Sequence, residues 1–343
     1  MPTNYRLYYP IEAVFIGAQS TASGAAVHGV QSVTLTTNFS LEQVFELGQL
    51  NIYENIENVP DIEISIEKVL DGYPLVYHMS TRGSTSSALS IRSNQRADVS
   101  LSLFSDSQEN ASGTPLKTAY CSGMYVNSLT YRLPVQGNCT EAVTLIGNDK
   151  QWSTGSPFAA YQFTGSDAPA ATDGVQRRQE VVMGSGVGVR GSVWPTIIPG
   201  ITTGSGSGYN IETAGLFGAN IQDVEISTSL GREDLFELGR RKPYYRYANF
   251  PTSVTCTINI TNAGTNPGDN VDALSSVTSN LTDQAILINL ADGTSFNLGT
   301  KNKLQSITFT PGPATGGVGT TAYTFENFNI LKVVATSDPD GLS

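Results

Sequence analysis

The side chains with the richest chemistry are few. Two histidines, His28 and His78, and three cysteines, Cys121, Cys139 and Cys256, are all the nitrogen and sulfur ligands that 343 residues offer a soft metal. Such sites draw their ligands from short spacings, and no CxxC or paired histidine is present. An odd number of distant cysteines makes neither a disulfide framework nor a zinc ribbon, so they read as buried or idle thiols. The run GSGVGVRGS at 184–192 holds the order GxGxxG, but it does not end a strand and open a helix, which a dinucleotide needs. Neither GxxxxGK[ST] nor GxSxG occurs. The expectation is therefore no catalytic residue, no cofactor and no metal. The densest basic run, Arg240, Arg241 and Lys242, is followed by Tyr244, Tyr245, Arg246 and Tyr247. Basic and aromatic residues together can grip nucleic acid, yet a single cluster in a chain of net charge −11 fits carboxylates on a partner surface better. These three residues, with Trp194, are candidate subunit contacts.

The elements that must carry these residues are strands. Only 14% of residues are charged, against about 25% in an ordinary soluble chain, and 34 are glycine. Hydrophobic residues make up 39%, enough for a core and too many for a disordered chain. Thirty acidic residues against nineteen basic disfavour a groove that holds phosphates. No stretch reaches the apolar length of a membrane span, and the start lacks the pattern of a secretion signal, so no membrane anchoring is expected.

One feature organises the whole chain. Residues 30–60 align without a gap on residues 221–251, and eleven of the 31 positions are identical. The shared positions include Val33 with Val224, Phe45, Leu47 and Gly48 with Phe236, Leu238 and Gly239, Tyr53 with Tyr244, and Pro60 with Pro251. Each copy reads as strand, short helix, turn and strand. The helix is expected from Leu41, Val44 and Phe45 at i, i+3 and i+4, with Gly48 or Gly239 as its stop. A second block, 126–145, matches 304–325 as strand, glycine-containing turn and strand. Further strands are expected at 98–104 and 285–290. The division that follows is a β domain over 1–150, its repeat over 211–343, and a Gly/Ser/Pro-rich connector over 151–210 expected to lie on a neighbour.

The repeated pattern, LEQVFELGQLNIYENIENVPDIEISI and REDLFELGRRKPYYRYANFPTSVTCTI, resembles tail tube proteins of tailed bacteriophages. The run KVLDGYPLVYHMST at 68–81 and the late hairpin ending AVTLIGNDKQW at 142–152 carry the same resemblance. It covers both copies and not the connector. What the resemblance implies is a mainly β chain: two tail-tube-like β-sandwich or split-barrel domains, each with a short flanking α-helix. It further implies homo-oligomeric rings of three chains, pseudo-sixfold, stacked into a tube for passing DNA. The implied partners are sheath or terminator, baseplate and tape-measure proteins, and the implied location is the virion tail after synthesis in host cytoplasm. The long polar loops at 83–94 and 261–283 are expected to touch stacked rings. Two other readings compete. A baseplate hub or tube-initiating protein shares the fold, and a β-sandwich receptor- or carbohydrate-binding module shares the composition.

Overall fold

The computed structural model describes residues 12–20, 24–104, 114–155, 174–183, 191–198, 220–261, 282–312 and 318–342. The chain is mainly β. Strands of the first part are β1 (Glu12–Ala18), β2 (Ala25–Ala26), β3 (Val30–Asn38), β4 (Leu41–Phe45), β5 (Ile52–Glu57), β6 (Asp61–Val69), β7 (Ala97–Leu103), β8 (Lys117–Pro134), β9 (Thr140–Gly147) and β10 (Asp149–Ser153). Two short helices, α1 (Val76–Ser80) and α2 (Leu89–Arg92), lie between β6 and β7. The second part holds β11 (Ile221–Ser229), β12 (Glu233–Leu235), β13 (Tyr245–Tyr247), β14 (Ser253–Thr261), β15 (Leu287–Asn289), β16 (Ser295–Asn297), β17 (Lys303–Thr310), β18 (Thr320–Phe328) and β19 (Lys332–Val334).

Strict alternation of apolar and polar residues decides the main sheet. Ile62, Ile64 and Ile66 of β6 are buried while Asp61, Glu63 and Glu67 are exposed, and β14 buries Val254, Cys256, Ile258 and Ile260 in the same way. Pairing runs β3–β6–β9–β8–β11–β14–β18–β17, antiparallel at every step. The order of the first four strands is repeated by the last four, in the same register. Val33 faces Ile66 as Val224 faces Ile258; Ile66 faces Val143 as Ile258 faces Tyr323; and Val143 faces Leu129 as Tyr323 faces Ile307. Even the irregularities coincide. Single extra residues interrupt β3 at Gln31 and β11 at Gln222, and they interrupt β8 at Asn127 and β17 at Gln305.

The long strand β8 belongs to two sheets. Its second half joins β9 and β11, while its first half pairs with β7 and β10, and β7 continues to β1 and β2. A small sheet, β15–β16–β19, covers the inner face, where Phe296 packs on Tyr131 with ring centroids 4.6 Å apart. One core includes side chains from both strand groups, among them Leu129, Tyr131, Ile226, Ile258 and Phe325.

Two expectations change. The segments read as helices at 41–48 and 232–239 are β-hairpins, β4–β5 and β12–β13, and both described α-helices lie elsewhere. The described parts of the connector also pack on this chain's own core: Trp194 and Ile198 are buried, and Val193 bridges to Leu287. The GxGxxG run at 184–192 and most of the loop at 261–283 fall outside the described residues. Residues 83–94 contain α2.

Candidate assembly surface

Three features of the main sheet stand out from the residues upward: its two ends, its outer face and the hairpins at one rim. The ends are β3 and β17, each paired on one side only among the described residues. Their inner-facing residues are less covered than their counterparts at the centre. Phe309 of β17 is 44% exposed, whereas Tyr131, at the corresponding place in β8, is 0% exposed. An open cleft of about 550 Å³ runs beside β3, lined by Val14, Val27, Val30, Val33 and Leu101. Open edges of this length invite pairing with another strand.

The outer face is unlike the inner one. Between Thr34 and Thr36 on β3 and Thr308 and Thr310 on β17 it is paved with Ser and Thr, including the facing pairs Ser65–Thr144, Thr130–Ser227 and Thr257–Thr324. Its charges are Asp61, Glu63, Glu67, Asp223, Glu225 and Glu326 against Arg132 and Lys303. That wall is hydrated and net acidic.

The two hairpins are near copies. Glu42 faces Ile56 and Val44 faces Glu54 in the first; Glu233 faces Tyr247 and Leu235 faces Tyr245 in the second, at matching positions. Both tips turn through a glycine with positive φ, Gly48 at +95° and Gly239 at +87°. The apolar residues used to infer a helix are instead presented to solvent: Phe45 and Phe236 are both 63% exposed, and Leu47 and Leu238 are fully exposed. Tyr53 and Tyr244 are exposed beside them, while Val33 and Val224 lie in β3 and β11, and Pro60 and Pro251 come just before β6 and β14.

Where the two strand groups meet inside the chain, β8 lies against β11 and the second hairpin leans on the first. Leu133 faces Val224, Tyr131 faces Ile226 and Arg132 faces Glu225. At the rim Arg241 Nη2 donates to the Glu57 carbonyl at 3.2 Å, Lys242 Nζ meets Asp149 at 3.1 Å, and Arg246 Nη2 donates to Asp61 at 2.9 Å. Arg240 pairs with Glu237 in its own hairpin at 2.6 Å. Below them Arg232 donates to the carbonyls of Val126 and Ser93 and sits 4.9 Å from the Tyr125 ring, which meets Tyr245 edge-on. Burial lowers the Arg232 pKa to about 10, so it stays charged at neutral pH. Within the basic run, Arg241 and Lys242 thus reach a carbonyl and a carboxylate of the first part of the chain, Arg240 stays in its own hairpin, and Trp194 is buried within the chain.

The ionisable groups of the interior are tied into structure. Cys121, Cys139 and Cys256 are free and buried, and burial pushes each thiol up to about 12, which keeps it protonated and unreactive. Glu141 accepts from the amides of Val76 and Tyr77 and from the Tyr131 hydroxyl, fixing α1 on the sheet. Arg92 donates twice to Asp338, at 2.6 and 2.8 Å, and once to Thr81, binding α2 to the segment after β19. His78, buried on α1, meets the Val333 carbonyl at 3.2 Å, and His28 stacks on Tyr73. Sequence reasoning did not find this buried group, because its members are far apart in the chain. Among the described residues no cluster of metal-ligating side chains occurs, and no helix is long and apolar enough to cross a membrane.

No family model and no curated protein matches this sequence. Some solved structures match part of the chain, and three of them are chains of tail-like injection machines. The tube-terminating cap of the anti-feeding prophage is 16% identical with a TM-score of 0.33, over 45% of this chain and 95% of its own. The sheath/tube terminator of an extracellular contractile injection system, PVC, is 15% identical with a TM-score of 0.33, over 44% and 99%. A chain of the PVC sheath-tube complex is 15% identical with a TM-score of 0.31, over 44% and 94%. Each match spans less than half of the present chain.

Proposed function

We propose that the chain is a structural, non-enzymatic subunit of a phage-type tail: a tube protein that forms rings of three chains, stacked into a conduit for DNA. One observation carries this reading. Two like strand groups are joined by unlike edges, β8 to β11, and among the described residues the counterpart edges, β17 and β3, are left open. Joining them between chains repeats the same contact, and a heterologous contact that closes makes a ring and removes the edges. Three chains give six strand groups. The two groups then correspond to domains over about 1–150 and 211–343, with the described parts of 151–210 packed against them.

The outer face suits a channel lining. Ser and Thr hydroxyls keep it wet, and an excess of carboxylates repels phosphates without holding them, so a passing nucleic acid finds little to bind. Sheath or terminator, baseplate and tape-measure proteins are the expected partners in the virion.

Negative-stain electron microscopy with mass photometry on the purified chain tests the reading. Stacked rings with masses in multiples of three chains are expected. Single rings that never stack would assign the chain to a hub or terminator, and a monomer at every concentration would overturn assembly in favour of a binding module.

A further inference from the structure

The internal junction is a template for a surface that the described residues leave uncovered. Because the strand groups share register, each residue at the β8–β11 junction has a counterpart at the open edges. Tyr131 and Ile226 correspond to Phe309 and Leu35, and Thr130 and Ser227 correspond to Thr308 and Thr36. In the hairpins Arg241 corresponds to Leu50 and Tyr245 to Glu54. On the receiving side Val59 and Asn148, which line the cleft below Arg241, correspond to Phe250 and Phe328. Tyr125 corresponds to Lys303.

These substitutions are matched in pairs. Where Arg241 lies over Val59 and Asn148 within the chain, the open edge offers a fully exposed Leu50 on one side and exposed Phe250 and Phe328 on the other. Where Tyr125 meets Tyr245 edge-on, the open edges offer Lys303 and Glu54. Where Arg132 pairs with Glu225, they offer two threonines, Thr310 and Thr34. Charge has been exchanged for apolar contact at the rim, and the cation that Glu54 would meet, Lys303, also pairs with Asp283 of its own chain at 2.7 Å.

We propose that the partner of this surface is a second copy of the chain, docked so that Leu50 of the incoming copy covers Phe250 and Phe328, its Glu54 faces Lys303, and Leu35 pairs with Phe309. The proposal rests on the ring reading and adds the surface and the register. A ring then contains two chemically distinct junctions in alternation, a charged one within each chain and a largely apolar one between chains. That difference tells a β3 edge to join β17 of another copy. A β11-like partner would set the basic hairpin, Arg241 and Lys242, against Phe250 and Phe328.

The test is a cysteine pair, Thr36→Cys with Thr308→Cys, oxidised in assembled protein. Directly opposite residues place Cβ atoms about 4.5–5.5 Å apart, close to disulfide geometry, and the native thiols are buried. Covalent multimers are expected from this pair and at least fivefold less from Thr34→Cys with Thr308→Cys, which is diagonal. In parallel, Glu54→Lys or Lys303→Glu alone is expected to weaken association at least fivefold, and the two together to restore it. Leu50→Asp, at a fully exposed tip, is expected to keep the circular dichroism spectrum and lose assembly. Oligomers that form without the cross-link, or a double swap without rescue, overturn this surface and leave the ring reading standing. A monomer in every condition overturns both.

Discussion

Protonation of His78 offers a sharp test of how the end of the chain is held. The imidazole lies on α1 beneath the segment that follows β19, 3.8 Å from Asp338 and within hydrogen-bond distance of the Val333 carbonyl. Burial and the adjacent Arg92 guanidinium lower its pKa from 6.5 to about 4, against the opposing pull of Asp338. Between those values the unfolded chain binds a proton that the folded chain refuses. Stability is therefore complete above about pH 6.5 and falls as pH drops toward 4. Integrating the two titrations from pH 7 to pH 4.5 gives a loss of about 2 kcal/mol from this one group. Replacing His78 by Gln removes the titration and keeps a hydrogen-bond donor for Val333. At pH 7 the variant is expected to be less stable, by about 1 kcal/mol, through poorer packing. Near pH 4.5 the order reverses, because only the wild type carries the protonation penalty. Urea unfolding followed by tryptophan fluorescence at half-unit pH steps reads both curves. Curves that stay parallel from pH 7 to 4.5 would refute the reasoning, since they would mean that the folded His78 takes up its proton as readily as the unfolded one.

Three other outcomes are expected. Arg92→Met leaves Asp338 buried beside no cation and should destabilise the chain by about 3–5 kcal/mol, read by thermal melting, with proteolysis releasing the segment after β19 first; an unchanged melt would show the bidentate pair to be dispensable. Gly239→Val forces a β-branched residue to φ +87°, and since a Cβ there meets nothing within 4 Å, the cost is that of the backbone alone, about 1–2 kcal/mol in denaturant unfolding. An unaltered unfolding midpoint would count against the tip turn. Phe309→Asp should destabilise the monomer by about 1 kcal/mol, since the single chain already covers half of the side chain, and should abolish rings under the electron microscope, where the ring reading places a neighbour over the exposed half.

Much of this architecture was legible in the residues. The ungapped match of 30–60 with 221–251 corresponds to strands of equal register, and the block 126–145 aligns with 304–325 down to the bulges at Asn127 and Gln305. The strands at 98–104 and 285–290 appear as β7 and β15. The hairpins were misread for an identifiable reason. Leu41, Val44 and Phe45 signal side chains that require cover, and a period of 3.6 is one way to provide it within a single chain; here none of the described residues covers Leu41 or Phe45, so a helical pattern was inferred where these apolar residues are exposed. The connector was misjudged in the opposite direction. Trp194 and Ile198 looked adhesive in a Gly-rich stretch and are packed on the core beside Leu287, a contact across some ninety positions that no local pattern reveals. The Arg92–Asp338 pair spans even more of the chain and leaves no trace in spacing.

The four bulged residues, Gln31, Gln222, Asn127 and Gln305, all carry amide side chains and recur at equivalent steps of each strand group. A bulge adds local twist and bends its strand, so the same two bends are applied once per group. In the proposed ring, the bend contributed by each group is set by two inserted residues, and the number of groups that completes a turn follows from it. Deleting Gln31 and Gln222 together would flatten the sheet evenly and change the circumference; deleting one would give a wall whose bend alternates and whose ends no longer meet.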